Sequence, residues 1–326
     1  SSLYGGQGED SIRLRDGVNN SYIEANSGND TFNIAGALNN SFLHGGQGED
    51  TYSVSGTVSN STLSGGSGAD LLNFTKAVTG STLDAGPGDA ADTIAVASSV
   101  ISSSIAGNDG NDSISLGKGL TSSTVTGGSG ADTLSISLNA LNSSILGNTG
   151  NDLISVDGSL SATSVFGGSG ADTVVIAGNV VGASPIYGNQ ADDSLSVGGS
   201  LTSSSLFGGQ GNDTLIVGGS VVGGNVEGNS GNDSISIVGT ASGGLIAGGK
   251  GNDTITIGAV VGGQVGGQLG ADSMSVGGKV QNALVSMTSA GDPDSTDDEA
   301  DTLTVVGSVS NSTIYAGAGA DSINLA

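Results

Sequence analysis

Hydrophobic and polar residues alternate in short stretches that recur about every 20 residues along the chain. Each stretch begins with an aspartate, which in most copies is followed by Ser or Thr, an aliphatic residue, a small polar residue and a second aliphatic residue. Residues 112–116 (Asp-Ser-Ile-Ser-Leu) and 253–257 (Asp-Thr-Ile-Thr-Ile) are examples. Side chains alternate between the two faces of a β-strand, so this pattern predicts a strand with one buried face.

A second strand completes each repeat. A turn with glycine follows the first strand, and an aliphatic residue stands eight positions after the aspartate, at Val18, Leu38, Val58, Leu160 and Val221. The next segment has the form Ser-x-aliphatic and is predicted to be a strand whose aliphatic side chain points into the interior. These aliphatic residues are Ile23, Leu43, Leu63, Ile105, Val125, Ile145, Val165 and Leu206. One repeat cannot bury such a face alone, but stacked repeats can. The glycine density and the period of two exclude helix, so we predict an all-β fold, a parallel β-solenoid.

The aspartate that opens each stretch fixes the register of the repeat. Its copies are Asp10, Asp30, Asp50, Asp70, Asp92, Asp112, Asp132, Asp152, Asp172, Asp193, Asp213, Asp233, Asp253, Asp272, Asp301 and Asp321. The spacing is 20 residues except for steps of 22, 21, 19 and 29. We therefore expect about sixteen coils in one continuous solenoid over residues 1–326, with no separate domain inside it.

Composition supports a thin interior. Aromatic residues make up 3% of the chain, tryptophan is absent and glycine occurs 61 times, so a core of large side chains is not expected. The hydrophobic fraction of 35% is nevertheless too high for a chain that stays unfolded. Cysteine is absent, so disulfides and thiolate metal sites are excluded.

The charge is strongly one-sided. The chain has 31 acidic and six basic residues, for a net charge of −25. Nucleic acid is an improbable partner for such a chain, because binding it needs a basic surface. Aspartates stacked about 5 Å apart would repel one another by about 3 kcal/mol at an effective dielectric of about 20, so cations are expected between them. Neutralisation of the chain calls for roughly 10–15 Ca²⁺ ions.

A glycine-rich motif precedes each aspartate, with the consensus Gly-Gly/Asn-x-Gly-x-Asp. Residues 45–50, 127–132, 208–213 and 248–253 follow it closely. Glycine permits a positive φ, which lets carbonyl oxygens turn toward a common point, and Ca²⁺ prefers six or more oxygen ligands. We expect the sixteen aspartates to bind calcium together with Gly46, Gly48, Gly128, Gly130, Gly168, Gly170, Gly209, Gly211, Gly249 and Gly251.

These motifs resemble the RTX, or hemolysin-type, calcium-binding repeat, whose nonapeptide reads Gly-Gly-x-Gly-x-Asp-x-aliphatic-x. The resemblance implies a right-handed parallel β-roll with Ca²⁺ between successive turns, and a secreted protein that folds on meeting external calcium. In the family the motif occurs every nine residues, on both edges of the roll. Here it occurs once per 20 residues, so we expect calcium along one edge only.

Several copies depart from the motif. Residues 25–28 and 85–88 lack the first glycine, 189–193 lack the third, and 267–272 are compressed. An acidic insertion at residues 289–301 is interpreted either as an additional calcium loop or as a solvated acidic bulge.

The predicted function is that of a calcium-dependent extracellular or cell-surface structural protein: a surface layer of the oscillin-like kind, a sheath, a filament or an adhesin rod. We also predict that the protein is not an enzyme, because His44 is the only histidine and the sequence contains no set of residues typical of a catalytic site. The first and last segments resemble uncapped strands, which favours self-association or a longer parent chain. No apolar run is long enough to span a membrane.

Three alternatives stay open at this point. These are an ice-binding solenoid, a solenoid that binds another ligand, and the non-catalytic repeat region of a secreted enzyme or toxin. Ice binding would require one residue type at one motif position, but the residue after the glycine pair varies among Gln, Ser, Pro, Asp, Thr and Lys. Most aromatic residues adjoin the second strand and are expected to cover apolar surface.

Overall fold

The computed structural model describes residues 1–88, 90–288 and 299–326. These residues form strands and turns and contain no helix, hence none that could cross a membrane. The chain divides into two compact units, Ser1–Gly158 and Ser159–Ala326. Each unit is a stack of parallel coils, about sixteen in all, which confirms the predicted parallel β-solenoid.

Three strands make up a typical coil, one more than the sequence pattern predicted. A middle strand of four residues follows the aspartate, a short strand of two residues comes next, and a long strand, usually of six residues, ends in the glycine motif. The extra strand arises where the aliphatic residue eight positions after the aspartate pairs with its equivalents in the adjacent coils, as Val58 does with Leu38 and Val78.

In the first unit the long strands are Ser2–Gln7, Tyr22–Ser27, Phe42–Gln47, Thr62–Ser67, Thr82–Gly86, Ser104–Asp109, Thr124–Ser129 and Ser144–Thr149. The middle strands are Ser11–Leu14, Thr31–Ile34, Thr51–Val54, Leu71–Phe74, Thr93–Val96, Ser113–Leu116, Thr133–Ile136 and Leu153–Val156. The short strands are Val18–Asn19, Leu38–Asn39, Val58–Ser59, Val78–Thr79, Val100–Ile101, Leu120–Thr121 and Ala140–Leu141.

In the second unit the long strands are Ser164–Ser169, Pro185–Gln190, Ser205–Gln210, Asn225–Ser230, Leu245–Lys250, Gln264–Leu269, Leu284–Thr288 and Thr313–Tyr315. The middle strands are Thr173–Ile176, Ser194–Val197, Thr214–Val217, Ser273–Val276, Thr302–Val305 and Ser322–Leu325. The short strands are Leu160–Ser161, Val180–Val181, Leu201–Thr202, Val221–Val222, Val280–Gln281 and Val309–Ser310. Middle and short strands merge in Ser234–Ser242 and Thr254–Val261.

Within each unit the long strands form one sheet, and the middle and short strands form another. Every strand pairs in parallel with its equivalent one coil away, so Leu43 lies opposite Leu63 and Ile235 opposite Ile255. Equivalent side chains therefore form columns. The repeat in the sequence directly sets the register of the sheets.

The interior consists of these aliphatic columns. All eight inward residues predicted for the long strands are buried, as are Val18, Leu38, Val58, Leu160 and Val221. Large side chains are not wholly excluded, because Phe32, Tyr52 and Phe74 are fully buried in the first unit. The rings of Phe32 and Tyr52 stack at 4.3 Å, and the Tyr52 hydroxyl donates to the Ser64 carbonyl at 2.6 Å. That hydrogen bond allows a tyrosine to replace an aliphatic residue in the core.

A column of buried hydroxyls joins the coils at the turn between the short and long strands. The Ser41 N–H donates to Oγ of Ser61 at 3.1 Å, and the Ser61 hydroxyl donates to the Ser59 carbonyl at 2.9 Å. The same arrangement recurs at Ser81, Ser103 and Ser123. The sequence analysis did not identify this column, although the serine recurs in nearly every repeat.

Candidate metal centre

The repeated aspartates lie in the turn between the long and the middle strand of each coil. The fourteen from Asp30 to Asp301 are at most 5% exposed, whereas Asp10 and Asp321 are half-buried. Buried carboxylates are rare unless they are paired or bind a metal. The structure thus gathers the predicted metal ligands into one column per unit.

One carboxylate oxygen, Oδ1, accepts a hydrogen bond in the aspartates that follow the first coil. The Asp112 N–H donates to Oδ1 of Asp132 at 2.8 Å, and the Asp132 N–H donates to Oδ1 of Asp152 at 2.8 Å. The same bond, 2.6–3.0 Å long, joins successive aspartates from Asp10 to Asp152 and from Asp172 to Asp321. These charge-assisted bonds offset part of the repulsion within the column. From the sequence, cations alone were expected to offset this repulsion between the aspartates.

The second oxygen, Oδ2, is buried without a hydrogen-bond partner in ten of the described aspartates. These are Asp10, Asp30, Asp50, Asp70, Asp112, Asp132, Asp193, Asp213, Asp233 and Asp253. A buried charged oxygen without a partner is energetically costly, and its recurrence in coil after coil is not accidental. A cation is the partner that such an oxygen calls for.

The glycines predicted to contribute carbonyl groups all have the required backbone conformation. Gly46, Gly48, Gly128, Gly130, Gly168, Gly170, Gly209, Gly211, Gly249 and Gly251 have φ between 113° and 131°. Their carbonyl groups are directed along the stack. For example, a Cβ atom on Gly68 would lie 2.2 Å from the Gly48 carbonyl oxygen. In most coils the successive turns therefore approach so closely that a side chain in place of this glycine would collide with the preceding turn.

The first motif glycine, which the sequence analysis did not include among the ligands, adjoins the unpaired oxygen. A Cβ atom on Gly45 would lie 2.0 Å from Asp50 Oδ2 and 2.3 Å from the carbonyl oxygen of Gly65 in the next coil. Gly208 has the same surroundings, with Asp213 Oδ2 at 2.3 Å and the Gly228 carbonyl oxygen at 2.7 Å. A carboxylate oxygen and a carbonyl oxygen from adjacent coils thus converge beside a bare Cα atom. The glycine pair in the motif was the signal that could have identified this position.

Burial raises the pKa of these carboxyl groups. The pKa is about 7 for Asp70, Asp132, Asp193 and Asp233, and about 6 for Asp50, Asp92, Asp213 and Asp253. Desolvation is the main cause of the raised pKa; neighbouring carboxylates also raise it for most of these groups, and the N–H group of the preceding aspartate partly opposes it. The column is therefore poorly suited to carry full negative charge near neutral pH without a cation.

The donor set fits Ca²⁺. All candidate ligands are oxygens, which is the preference of this ion, and each coil offers Asp Oδ2 and carbonyl groups of the glycine turn. The described residues contain no cluster of three or more His, Cys, Asp or Glu side chains suited to a metal, so backbone carbonyls would have to complete the shell. Bound calcium would supply positive charge between the coils, and the turns would hold it in place.

The irregular motif copies keep the aspartate column. Ala191 replaces the third glycine with φ of 72°, yet Asp193 is buried and its N–H donates to Asp213 Oδ1. In the compressed copy, Gln268 has φ of 88°, and the Asp272 N–H donates to Asp301 Oδ1 at 2.8 Å. Residues 289–298 of the acidic insertion lie outside the described residues, so its two interpretations remain predictions.

A second column of hydrogen bonds runs beside the aspartates in the opposite direction. The Asn252 N–H donates to Oδ1 of Asn232 at 2.7 Å, and the Asn232 N–H donates to Oδ1 of Asn212 at 2.8 Å. Asn111 and Asn29 accept in the same way in the first unit. These asparagines stand directly before the aspartate, which explains why Asn-Asp pairs recur in the motif.

The other residues discussed from the sequence lie outside this centre. His44 is half-buried on the outer face of a long strand, with its ring centroid 6.2 Å from that of Phe42. Phe166, Tyr187 and Phe207 also lie on an outer face, where their rings stack at 5.1 and 5.0 Å. These aromatic residues cover one another and not the interior.

Comparisons with known proteins point to the same motif. The family model of the RTX calcium-binding nonapeptide repeat (4 copies) matches residues 53–74, 103–119, 203–220, 238–256 and 304–326. A search of curated proteins found no match. A solved structure that matches is the X-ray crystal structure of a hyperactive, Ca²⁺-dependent, beta-helical antifreeze protein from an Antarctic bacterium. The two chains are 21% identical, the match covers 98% of this chain and 83% of that chain, and the TM-score is 0.41.

Proposed function

We propose that this chain, five segments of which match the RTX calcium-binding repeat, is an extracellular structural protein whose coils stack when Ca²⁺ binds. In this proposal Asp Oδ2 and the carbonyl groups of the glycine turns bind the ions. A surface layer, sheath, filament or adhesin rod is the kind of assembly to which such a protein belongs. Repeat solenoids are typical of non-catalytic structural proteins, and we propose no enzymatic activity for this one.

The column of buried, unpartnered Oδ2 atoms carries the proposal. Hydrogen bonding satisfies Oδ1 in each coil but leaves Oδ2 beside a bare glycine Cα and a carbonyl oxygen. The external concentration of calcium is in the millimolar range that suits extracellular calcium modules, with dissociation constants of about 10⁻⁴ to 10⁻³ M. This requirement and the secretion typical of RTX proteins support the proposed extracellular location.

A calcium titration tests the proposal. Circular dichroism and light scattering are recorded as Ca²⁺ rises from zero to about 10 mM. We expect the β-strand signal to develop with calcium and to be lost again in EDTA. An increase in mass during the same titration would support self-assembly, and a constant mass would limit the proposal to a monomeric rod or adhesin module. Strand structure that is unchanged in chelator would refute the calcium dependence.

Ice binding is a second candidate, supported by the outer face of the middle strands. Two outward positions per coil are mostly Ser or Thr in the second unit, as in Thr254, Thr256, Thr302 and Thr304. The exceptions are Val175, Ile216 and Asn324. This is a different column from the variable motif position that disfavoured ice binding in the sequence. Thermal hysteresis measured with calcium present distinguishes the two candidates, because a purely structural protein should show none.

A further inference from the structure

A shallow groove lies on the outer face of the long strands in the second unit. Tyr187 and Phe207 form one side, Gln190 and Gln210 form the other, and the floor includes Gly208 and Gly209. Tyr187 pairs with Phe207 and Gln190 with Gln210 across adjacent strands. The repeat thus places an aromatic column and an amide column side by side, with a strip of glycine between them.

The aromatic side of the groove is held rigid by stacking. The rings of Tyr187 and Phe207 are 5.0 Å apart and inclined by 13°, and Phe166 stacks on the other face of Tyr187 at 5.1 Å. All three side chains are half-buried. Because each ring stacks on its neighbour, the three provide a fixed apolar surface that a ligand can cover without ordering flexible side chains.

The floor stays open because the metal centre lies directly beneath it. A Cβ atom on Gly208 would lie 2.3 Å from Asp213 Oδ2, and one on Gly209 would lie 2.2 Å from the Asn189 carbonyl oxygen. The same glycine pair therefore shapes the metal turn on its inner side and the groove on its outer side. The groove keeps its form only while the turn keeps its conformation.

The amide side of the groove is unoccupied by internal contacts. Gln190 and Gln210 are exposed, and in the part of the chain that the structure describes neither side chain has an intramolecular hydrogen bond. Each amide offers both donors and an acceptor. None of the residues that line the groove is charged, although the whole chain carries −25.

We propose that this groove binds a neutral oligosaccharide in the calcium-loaded protein. Sugar rings combine apolar C–H faces with hydroxyl groups, which match the aromatic side and the amide side. The lining itself offers a charged ligand no opposite charge, and the nearest charged positions in the two columns are one of each sign, Glu227 and Lys250. A peptide strand would require an open sheet edge, whereas the groove lies on a sheet face. The calcium dependence of binding rests on the proposed metal centre, but the chemistry of the groove does not.

The test uses the full chain in 5 mM Ca²⁺, about the concentration expected to saturate such sites. Cellohexaose, chitohexaose, laminarihexaose and dextran are the neutral probes, and polygalacturonate is the anionic one. Binding is followed by isothermal titration calorimetry and saturation-transfer NMR. We expect saturable binding of at least one neutral probe, with tyrosine and phenylalanine ring protons in contact with it.

Matched variants locate the binding. Gln210→Ala should weaken binding about fivefold, as expected for one lost hydrogen bond of about 1 kcal/mol. Gln47 occupies the motif position equivalent to that of Gln210 but lies beside His44 and not beside the groove. Gln47→Ala should therefore leave binding unchanged. Tyr187→Ser/Phe207→Ser should abolish it; if this double variant does not give the native circular dichroism spectrum, Gln190→Ala/Gln210→Ala decides instead.

The proposal is overturned if no neutral probe binds the folded protein, if polygalacturonate alone binds, or if Gln47→Ala and Gln210→Ala have equal effects. Circular dichroism with and without EDTA is recorded for every sample. A protein that folds with calcium but binds no sugar refutes the groove alone, whereas one that keeps its strands and its sugar affinity in EDTA refutes the calcium requirement alone.

Discussion

Each repeated aspartate uses its two carboxylate oxygens differently. Asp132 Oδ1 accepts the Asp112 N–H at 2.8 Å, while Oδ2 is buried without a hydrogen-bond partner. The first contact aligns adjacent coils, and the second oxygen is left for a cation. A substitution that keeps an oxygen acceptor but removes the charge can separate these two roles.

Asp132→Asn is expected to have effects of opposite sign with and without calcium. In saturating calcium we expect a loss of about 1–3 kcal/mol in the free energy of unfolding, because a charged ligand becomes a neutral one. In EDTA at pH 8 the variant should retain as much strand structure as the parent protein or more, since a buried charge has been removed. Urea unfolding in calcium measures the first effect, and the circular dichroism strand signal in EDTA measures the second.

Asp157→Asn is the matched control, because Asp157 is exposed and stands outside the column. Its effect should be small in either condition. Equal losses for Asp132→Asn with and without calcium would show that this carboxylate acts through its hydrogen bond alone.

The raised pKa values predict how stability depends on pH without calcium. The pKa of Asp70, Asp132, Asp193 and Asp233 is about 7 in the folded chain, against 3.8 for an unperturbed aspartate. Protons therefore bind the folded state more tightly, and the stability that they contribute below pH 3.8 is lost as the pH rises through 6 to 7. In EDTA the circular dichroism strand signal should therefore be stronger at pH 5 than at pH 8.

Saturating calcium should reverse this trend, because Ca²⁺ competes with protons for the same carboxylates. The calcium concentration at half-folding should fall between pH 5 and pH 8. A chelated protein that is more stable at pH 8 than at pH 5 would contradict the raised pKa values.

At the scale of the element, the glycine turn is the most constrained part of the coil. Ala25 and Ala85 occupy the first motif position and Asn189 and Asn229 the second, so neither position strictly requires glycine. The third position is glycine in nearly every copy, with positive φ and with the carbonyl oxygen of the preceding turn against its Cα. Close approach of the turns explains this difference.

Gly231→Ala should therefore destabilise the protein. Gly231 has φ of 130°, and a Cβ atom there would lie 1.8 Å from the Gly211 carbonyl oxygen. We expect a loss of about 1–3 kcal/mol, measured as a lower unfolding midpoint in calcium. Gly277→Ala is the control, since its Cβ atom would meet nothing closer than the Gly258 carbonyl oxygen at 3.8 Å. Equal stability of the two variants would show that the turns can separate to accommodate a side chain.

At the scale of the whole molecule, net charge opposes compaction. A chain with −25 repels itself, and its internal hydrogen bonds cannot remove that charge. Ions act on this repulsion in two ways, by specific binding in the turns and by general screening.

Sodium chloride should separate these two contributions. In EDTA at pH 8, an increase from about 0.05 to 0.5 M NaCl shortens the Debye length from roughly 14 to 4 Å and should raise the strand content. With calcium bound, the same change should have little effect. Sucrose of equal osmolality is the control for excluded-solute effects. If NaCl fully replaced calcium, screening and not site binding would hold the coils together.

The strands, their inward faces and the register of the coils can be read from the sequence pattern alone, because a 20-residue period repeats the same residues at Leu43, Leu63 and their equivalents. It also identified the aspartate column and the carbonyl-bearing glycines, since both recur at fixed positions of the motif. Local pattern is sufficient for these features because every contact between coils joins equivalent residues.

The hydrogen bonds between polar groups of neighbouring coils could be seen only in the folded structure. The N–H contact to Oδ1, the unpartnered Oδ2 beside Gly45, and the buried Ser61 hydroxyl between two coils depend on distances across the stack. The same holds for the groove between Tyr187 and Gln190, which exists because stacking places one column beside another. A sequence shows which residues recur, but the direction of each polar atom is set by the coil packed against it.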